Sequence, residues 1–143
     1  IVNPITKKER KLNLILFLNK NWKKEWGGGL ELWDKTCSRC EKVIFPKFNT
    51  ALIFKTGLAS HHGVPRPIQS PEGTWRKTLT NYYVSDPQPD TPLRFKAEFF
   101  HHPDQVDDER LRELRFIRKS RLITDADLAK WPNWQEEGNG WWV

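Results

Sequence analysis

The sequence has no histidine in its first sixty residues, only two cysteines, and no apolar run near the roughly 20 residues that a membrane-spanning helix needs. The cysteines, Cys37 and Cys40, form one Cys-x-x-Cys motif, whereas a structural zinc site needs four ligands and usually a second such pair. No histidine stands at zinc-finger spacing, and no βα pattern suggests a thioredoxin motif. We therefore predict two reduced thiols near a strand end and no membrane partner.

The composition indicates a folded, basic chain. Among 143 residues there are eight Trp and eight Phe, and the net charge is +6. The basic surplus gathers in residues 7–11, 20–24 and 110–121. No stripe interleaves arginines with stacking aromatics, so we do not expect a nucleic-acid partner and interpret the charge as a solvated face. No signal peptide is visible, and we expect a cytoplasmic protein.

Short apolar or alternating segments fill the first 85 residues and are punctuated by Gly and Pro. Six of them are predicted to be strands: 12–19, 30–33, 42–45, 49–54, 62–64 and 75–84. The triplet at residues 27–29 is interpreted as a breaker between the first two. No helix fits among these segments, so the pattern favours a mainly β chain with an antiparallel sandwich or barrel.

The character of the sequence changes after residue 85. Residues 85–92 contain three prolines and are predicted to form a linker. Residues 107–120 combine helical apolar spacing with acids first and bases last, which matches a helix dipole. Thr124 is predicted to cap a second short helix that runs to Ala129, and residues 131–143 are Trp-rich and irregular. We thus expect residues 1–85 to be part of one domain, with 86–143 as a linker, helix and tail packed on it.

Two residues in this pattern carry chemistry. His62 opens the fifth predicted strand, and Arg76 follows fourteen residues later in an Arg-x-Thr that begins the sixth. Neutral imidazole binds metals, and a planar guanidinium binds a carboxylate through two parallel hydrogen bonds. A strand starting at Arg76 sends Arg76, Thr78 and Thr80 to one face, and alternation turns His61 away from His62. Alone, His62 reads as a surface or hydrogen-bonded residue and Arg76 as part of a surface salt bridge.

A series of motifs relates these residues to a family. In order along the chain they are RKLNL at 10–14, FLNKNW at 17–22, GGGLELWD at 27–34, PKFNTALIF at 46–54 and SHHGVP at 60–65. In order and spacing they resemble the prolyl 4-hydroxylase-like branch of the Fe(II)/2-oxoglutarate-dependent dioxygenases. The resemblance covers about residues 8–85 and is specific for the family rather than for a substrate.

The resemblance implies a double-stranded β-helix (jelly roll) with a C-terminal α-helical extension, and hydroxylation of a C–H bond coupled to oxidation of 2-oxoglutarate to succinate and CO2. By resemblance, His62 binds iron, Arg76 clamps 2-oxoglutarate, Thr78 is a hydroxyl partner of that ligand, and Leu30 lines its pocket. The cofactors implied are Fe(II) and 2-oxoglutarate, with ascorbate as a reductant. The other partners are O2 and a peptide or small-molecule substrate.

The sequence departs from the family's pattern at two places. The family's His-x-Asp/Glu pair normally precedes the strand that begins here at Leu12, so it is expected before Ile1, and the chain alone is expected to be inactive. Phe17 stands where related hydroxylases often have a tyrosine that binds 2-oxoglutarate. His102-Pro103-Asp104 has the right letters but follows His62, so we predict a surface turn. No catalytic residue is assigned. The alternatives are a non-catalytic jelly-roll binding module and, with no motif in its favour, a basic RNA-binding domain.

Overall fold

The computed structural model of the protein describes residues 2–3, 5–89, 91, 97–105 and 108–131. Within these ranges the strands are β1 (Glu9–Phe17), β2 (Leu30–Trp33), β3 (Cys40–Ile44), β4 (Thr50–Lys55), β5 (His62–Gly63) and β6 (Thr78–Ser85). A 3-10 turn covers Lys24–Trp26, and the helices are α1 (Glu109–Ser120) and α2 (Asp125–Leu128). The prediction of a mainly β chain with few helices is confirmed. The jelly-roll topology stays a prediction.

The chain divides into two compact units. One consists of Ile1–Val64 and Ile68–Phe95 and contains all the strands, while the other consists of Pro65–Pro67 and Lys96–Val143 and contains α1 and α2. The packing of residues 86–143 on the β domain stays a prediction. Positions 90 and 92 of the predicted linker, position 107 of the predicted helix and the tail from 132 to 143 lie outside the described residues.

The first sheet has the antiparallel order β4-β1-β6. β1 lies between the other two strands, and its residues Asn13, Ile15 and Phe17 are buried at alternate positions. The near-continuous apolar run at 12–19 predicted a buried strand, whereas burial is complete only on the inner face. Residues directly opposite each other in neighbouring strands share a face. Three rows therefore cross the inner face: Thr50–Phe17–Thr78, Leu52–Ile15–Thr80 and Phe54–Asn13–Tyr82.

The second sheet has the antiparallel order β3-β2-β5 and supplies the other side of the core. Leu30 of β2 is buried with Ile15 and Phe17 of the first sheet. Five further apolar residues pack against this cluster: Leu32, Ile44, Leu52, Phe54 and Val64. The hydrophobic core thus lies between the inner faces of the two sheets, where alternation in each strand directs its apolar side chains.

The sixth strand begins three residues later than the sequence predicted, so Arg76 lies before β6 rather than in it. The backbone on both sides of Arg76 bonds to the side chain of Asn19 instead of to a neighbouring strand. Asn19 Nδ2 donates to the carbonyl oxygen of Trp75 at 2.7 Å, and Asn19 Oδ1 accepts from the backbone N–H of Lys77 at 2.6 Å. Short polar side chains compete in this way for backbone groups. The segment is therefore held in a loop, and strand alternation starts only at Thr78.

The helices of the second unit have the termini that their sequences indicate. The Asp108 carboxylate caps α1 by accepting from the Leu111 backbone N–H at 2.7 Å, and Leu111 and Leu114 are buried. Thr124 and Asp127 form a reciprocal capping box at the start of α2. Among the residues described, no helix has both the length and the apolar character needed to span a membrane.

Candidate functional site

His62 faces the core from the edge of the second sheet. It pairs directly with Leu32, whose side chain packs against the buried cluster, so both side chains lie on the same face. The ring of Phe54, from the opposite sheet, lies 4.6 Å from the His62 ring, centroid to centroid, and edge-on to it. His62 itself remains exposed. The residue therefore stands at the rim of the core and can be reached from solvent.

The hydrogen bonding of His62 fixes its tautomer. Its Nδ1 lies 2.7 Å from the carbonyl oxygen of Ser60. A carbonyl can only accept, so Nδ1 carries a proton, and in the neutral ring the free lone pair is therefore on Nε2. Metal-binding histidines commonly have their second ring nitrogen oriented in this way. The neighbouring His61 uses its backbone carbonyl to accept from the Trp33 N–H at 2.9 Å, and strand alternation places its side chain on the other face.

Arg76 lies at the opposite end of the core. Its Nε donates to the carbonyl oxygen of Gly28 at 2.8 Å, and its guanidinium carbon lies 5.4 Å from the centroid of the buried Phe17 ring. The side chain is half-buried, and this burial lowers the pKa of the guanidinium from its usual value, although arginine stays charged. No carboxylate of the described residues pairs with it. Both terminal nitrogens are therefore available to an anion.

The side chain of Arg76 packs closely against the backbone of Gly28. A Cβ placed on Gly28 would lie 3.2 Å from Arg76 Cδ and 3.1 Å from the Trp22 ring, and the φ of Gly28 is +71°. The Trp22 Nε1–H donates to the Gly27 carbonyl oxygen at 2.9 Å and holds the glycine segment in place. The sequence indicated only a breaker here. The run of three glycines directly after Trp22 and Trp26 was the available signal for a close approach of side chains.

Leu30 and Thr78 complete the set of residues singled out from the sequence. Leu30 is buried against Phe17 and lies two residues from Leu32 on the same face of β2. Thr78 pairs with Phe17 across the first sheet. The structure thus brings all four residues to one core, with His62 at the Leu32–Phe54 end and Arg76 and Thr78 at the Phe17 end.

His102 and Asp104 belong to the second unit and form a turn. The Asp104 backbone N–H donates to His102 Nδ1 at 3.1 Å, and the Asp104 carboxylate accepts from Arg66 at 2.6 Å. In the part of the chain that the structure describes, no group of three His, Cys, Asp or Glu residues could hold a metal ion. In this structure the His102-Pro103-Asp104 motif therefore forms a turn, and its aspartate forms an ion pair with Arg66.

The two cysteines are unbonded thiols. Cys40 begins β3, and Cys37 adopts φ +57° in the preceding turn. Burial, followed by the negative charge of Asp34, raises the pKa of Cys37, and burial followed by Glu31 raises that of Cys40. A raised pKa keeps a thiol protonated and poorly nucleophilic.

Sequence comparison identifies the family to which this site belongs. The model of the 2OG-Fe(II) oxygenase superfamily matches residues 3–84, which is more than half of the chain and includes His62, Arg76, Thr78 and Leu30. No curated protein matches the sequence significantly. Members of this superfamily are in general dioxygenases that use Fe(II) and 2-oxoglutarate. The chain belongs to the 2OG-Fe(II) oxygenase superfamily.

Proposed function

We propose that this protein is a prolyl 4-hydroxylase-like hydroxylase, in which hydroxylation of a substrate C–H bond is coupled to oxidation of 2-oxoglutarate to succinate and CO2. The observation that supports this most is the state of Arg76. Its guanidinium is half-buried beside an apolar core, its Nε is already bonded to Gly28, and none of the described carboxylates neutralises it. A cation in that position is suited to a bound dianion.

The geometry around Arg76 explains how a carboxylate would be held. The two terminal nitrogens form a planar fork that can donate two parallel hydrogen bonds to one carboxylate. The Phe17 ring beneath the guanidinium excludes water, which strengthens each of these charged hydrogen bonds. In this proposal the Thr78 hydroxyl donates a further hydrogen bond to 2-oxoglutarate, and Leu30 lines the pocket beside its carbon chain.

His62 is suited to hold iron. Nδ1 donates to Ser60, so the neutral ring presents its free lone pair at Nε2, and a neutral imidazole nitrogen is a good ligand for Fe(II). Bound Fe(II) supplies the activation of O2 in this chemistry. His62 is one of the three protein ligands that such a site uses, and we assign no other from the described residues.

Calorimetric binding of 2-oxoglutarate to the native full-length protein, loaded with Fe(II) under anaerobic conditions, tests the role of Arg76. We expect Arg76→Ala to weaken 2-oxoglutarate binding by about 10- to 100-fold, because a desolvated carboxylate loses its charged partner. Arg76→Lys should restore only part, since an ammonium lacks the fork. Arg39→Ala removes an exposed arginine paired with Glu41 and serves as the control.

Two further measurements complete the test. His62→Ala should lower the iron content found by metal analysis, whereas Arg76→Ala should leave it unchanged. Succinate release in the presence of Fe(II) and ascorbate should fall in both variants. An unchanged 2-oxoglutarate affinity in Arg76→Ala would contradict the proposal, and tight binding of 2-oxoglutarate without any succinate release would favour a non-catalytic binding module.

A further inference from the structure

The third row of the inner face, Phe54–Asn13–Tyr82, lies at the His62 end of the first sheet. Phe54 begins the row and contacts the His62 ring at 4.6 Å. Tyr82 ends the row on the edge strand β6 and is 37% exposed, so the row is open to solvent there. A substrate held close to His62 would therefore lie against this row.

Asn13, in the middle of the row, is buried, and its amide oxygen has no hydrogen-bond partner among the described residues. The residue is 2% exposed, and its Oδ1 is wholly buried. Burial of an unbonded amide oxygen is unfavourable, and such groups in native structures call for an explanation. An apolar residue at this core-facing position would avoid the penalty. The amide oxygen is therefore suited to accept a hydrogen bond from a ligand.

Arg10 brings a positive charge to the same row. The register between β1 and β6 shifts between Arg10 and Leu12, and this bulge turns Arg10 towards Tyr82, with its guanidinium carbon 4.1 Å from the ring centroid. Bulges often re-aim a side chain beside a functional site. None of the described carboxylates pairs with Arg10. The nearby Lys11 is neutralised by Glu9 at 2.6 Å, so Arg10 carries the uncompensated charge.

A 2-oxoglutarate molecule held at Arg76 would end short of Asn13 and Arg10. Arg76 lies on Phe17, and Phe17 and Asn13 are four residues apart on β1, which corresponds to about 13 Å along a strand. The five-carbon chain of 2-oxoglutarate spans about 6 Å, given carbon–carbon bonds near 1.5 Å. The Asn13 and Arg10 groups therefore face a different molecule, which is the substrate.

We propose that the substrate of this oxygenase is an anion that also carries an N–H or O–H donor, as in an acidic amino acid derivative or an acidic peptide. Its anionic group binds Arg10, and its donor binds Asn13 Oδ1 beside the reacting end of the site. This inference rests on the proposed oxygenase function. It narrows the substrate class, because a neutral substrate would leave the Arg10 guanidinium without a counter-charge.

Matched pairs of probes test the charge requirement. N-acetyl-aspartate and N-acetyl-glutamate are compared with N-acetyl-asparagine and N-acetyl-glutamine, and the same four residues are placed at the centre of acetylated pentapeptides. Binding to the native protein, loaded with Fe(II) and 2-oxoglutarate without O2, is measured by calorimetry. We expect an acidic member to bind about tenfold or more tightly than its neutral partner. Comparison of the N-acetyl amino acids with the pentapeptides shows whether the protein binds a small acidic molecule or an acidic peptide.

Variants connect that preference to the two residues. Arg10→Gln should abolish the preference for the acidic probe and Arg10→Lys should restore part of it, whereas Lys42→Gln makes the same change in net charge at an exposed lysine of β3 and should leave it intact. Asn13→Leu should weaken binding of both members of a pair and raise the melting temperature of the free protein by about 4 °C, because an unbonded buried amide oxygen is removed. If Asn13 instead stabilises the fold, Asn13→Leu should lower the melting temperature.

The outcomes separate this inference from the oxygenase function. Equal binding of acidic and neutral probes, no binding by any probe, or a preference unchanged by Arg10→Gln overturns the substrate assignment. A lower melting temperature of Asn13→Leu, confirmed with Asn13→Val, overturns the role of Asn13. In each case Arg76-dependent binding of 2-oxoglutarate would still support the oxygenase. Failure of the protein to bind 2-oxoglutarate would instead remove the proposed function itself.

Discussion

The Nε of Arg76 donates a 2.8 Å hydrogen bond to the carbonyl oxygen of Gly28, and this contact joins the segment before β6 to the segment before β2. The bond uses the one guanidinium nitrogen that is not part of the terminal fork. It therefore fixes the direction of the side chain and leaves both terminal nitrogens for a carboxylate. The position of Gly28 thus bears directly on anion binding.

Replacement of Gly28 by alanine should damage stability and 2-oxoglutarate binding together. The new Cβ would lie 3.2 Å from Arg76 Cδ, and φ +71° is strained for alanine. We expect a loss of about 1–2 kcal/mol in the free energy of unfolding from the strain and a weaker affinity for 2-oxoglutarate from the displaced guanidinium. Denaturant unfolding and calorimetry measure the two effects.

Two other glycines separate these causes. Gly73 has φ +75° with no atom within 4 Å of an added Cβ, so Gly73→Ala should show the strain but keep the 2-oxoglutarate affinity. Gly57 has neither a positive φ nor a neighbour, so Gly57→Ala should leave both quantities near those of the parent protein. Equal 2-oxoglutarate affinities in Gly28→Ala and Gly73→Ala would show that Gly28 does not position Arg76.

Phe17→Tyr tests the departure of this chain from the family pattern. Phe17 is fully buried beneath the Arg76 guanidinium, and related hydroxylases often have a 2-oxoglutarate-binding tyrosine at this position. We expect the added hydroxyl to tighten 2-oxoglutarate binding several-fold and to lower the stability of the free protein by about 1 kcal/mol, since the hydroxyl is buried without its ligand. Calorimetry and thermal unfolding give the two values.

Phe54→Tyr is the matched control for that change. Phe54 lies on the same inner face but at the His62 end, away from Arg76. The extra hydroxyl there should not improve 2-oxoglutarate binding. If both variants bind 2-oxoglutarate equally well, the ligand does not lie over Phe17, and the placement of the clamp is wrong.

The sequence predicted the existence of the strands better than it predicted their first and last residues. All six predicted strands overlap observed ones because alternation and apolar runs report which faces are buried, and the bounds of β2 were predicted without error. The start of β6 was missed, since the Asn19 side chain bonds the backbone at Trp75 and Lys77 from more than fifty residues away. A tertiary contact of that kind leaves no local pattern.

The candidate site shows the same limit. His62 and Arg76 could be singled out because their residue types and motif register carry chemistry by themselves. The roles proposed for Asn13 and Arg10 could not be predicted, because they depend on a buried amide oxygen without a described partner and on a bulge in the pairing with β6. Gly28 was predicted in part. The sequence indicated an unusual backbone conformation there, but it did not indicate which side chains pack against that backbone.

Asp127 should make the stability of the helical unit depend on pH. Two hydrogen bonds of 2.6 Å from Arg121, followed by those from Thr124, hold the pKa of the Asp127 carboxyl well below its usual range. Because the folded-state pKa is lowered, the stabilisation is fully present above the unfolded pKa of about 4 and is lost as the pH falls through the folded value.

Thermal unfolding followed by circular dichroism between pH 7 and pH 2 measures this dependence. Asp127→Asn should lower the melting temperature at pH 7, and its difference from the parent protein should shrink as the pH is lowered. Asp125→Asn, in the same helix, is the control. A difference between Asp127→Asn and the parent protein that stays constant over the whole pH range would contradict the assignment.

The cysteines should react slowly with alkylating agents. Burial raises the pKa of both thiols, so the reactive thiolate is scarce at neutral pH. The rate of iodoacetamide labelling, followed by mass spectrometry from pH 7 to pH 10, should rise at a higher pH than for a free cysteine. Glu31→Gln should shift the profile of Cys40 to lower pH and leave Cys37 unchanged. Rapid labelling at pH 7 would contradict the raised values.

The order of the strands along the chain has a kinetic consequence. β6 joins β1 only after about sixty intervening residues have been closed into a loop, whereas β2 and β3 are close neighbours in sequence. Pairings over such separations form late and slowly in folding. Arg76 immediately precedes β6 and reaches its place on Gly28 when that strand docks. A refolding chain should therefore gain its affinity for the anion only as its slowest phase ends.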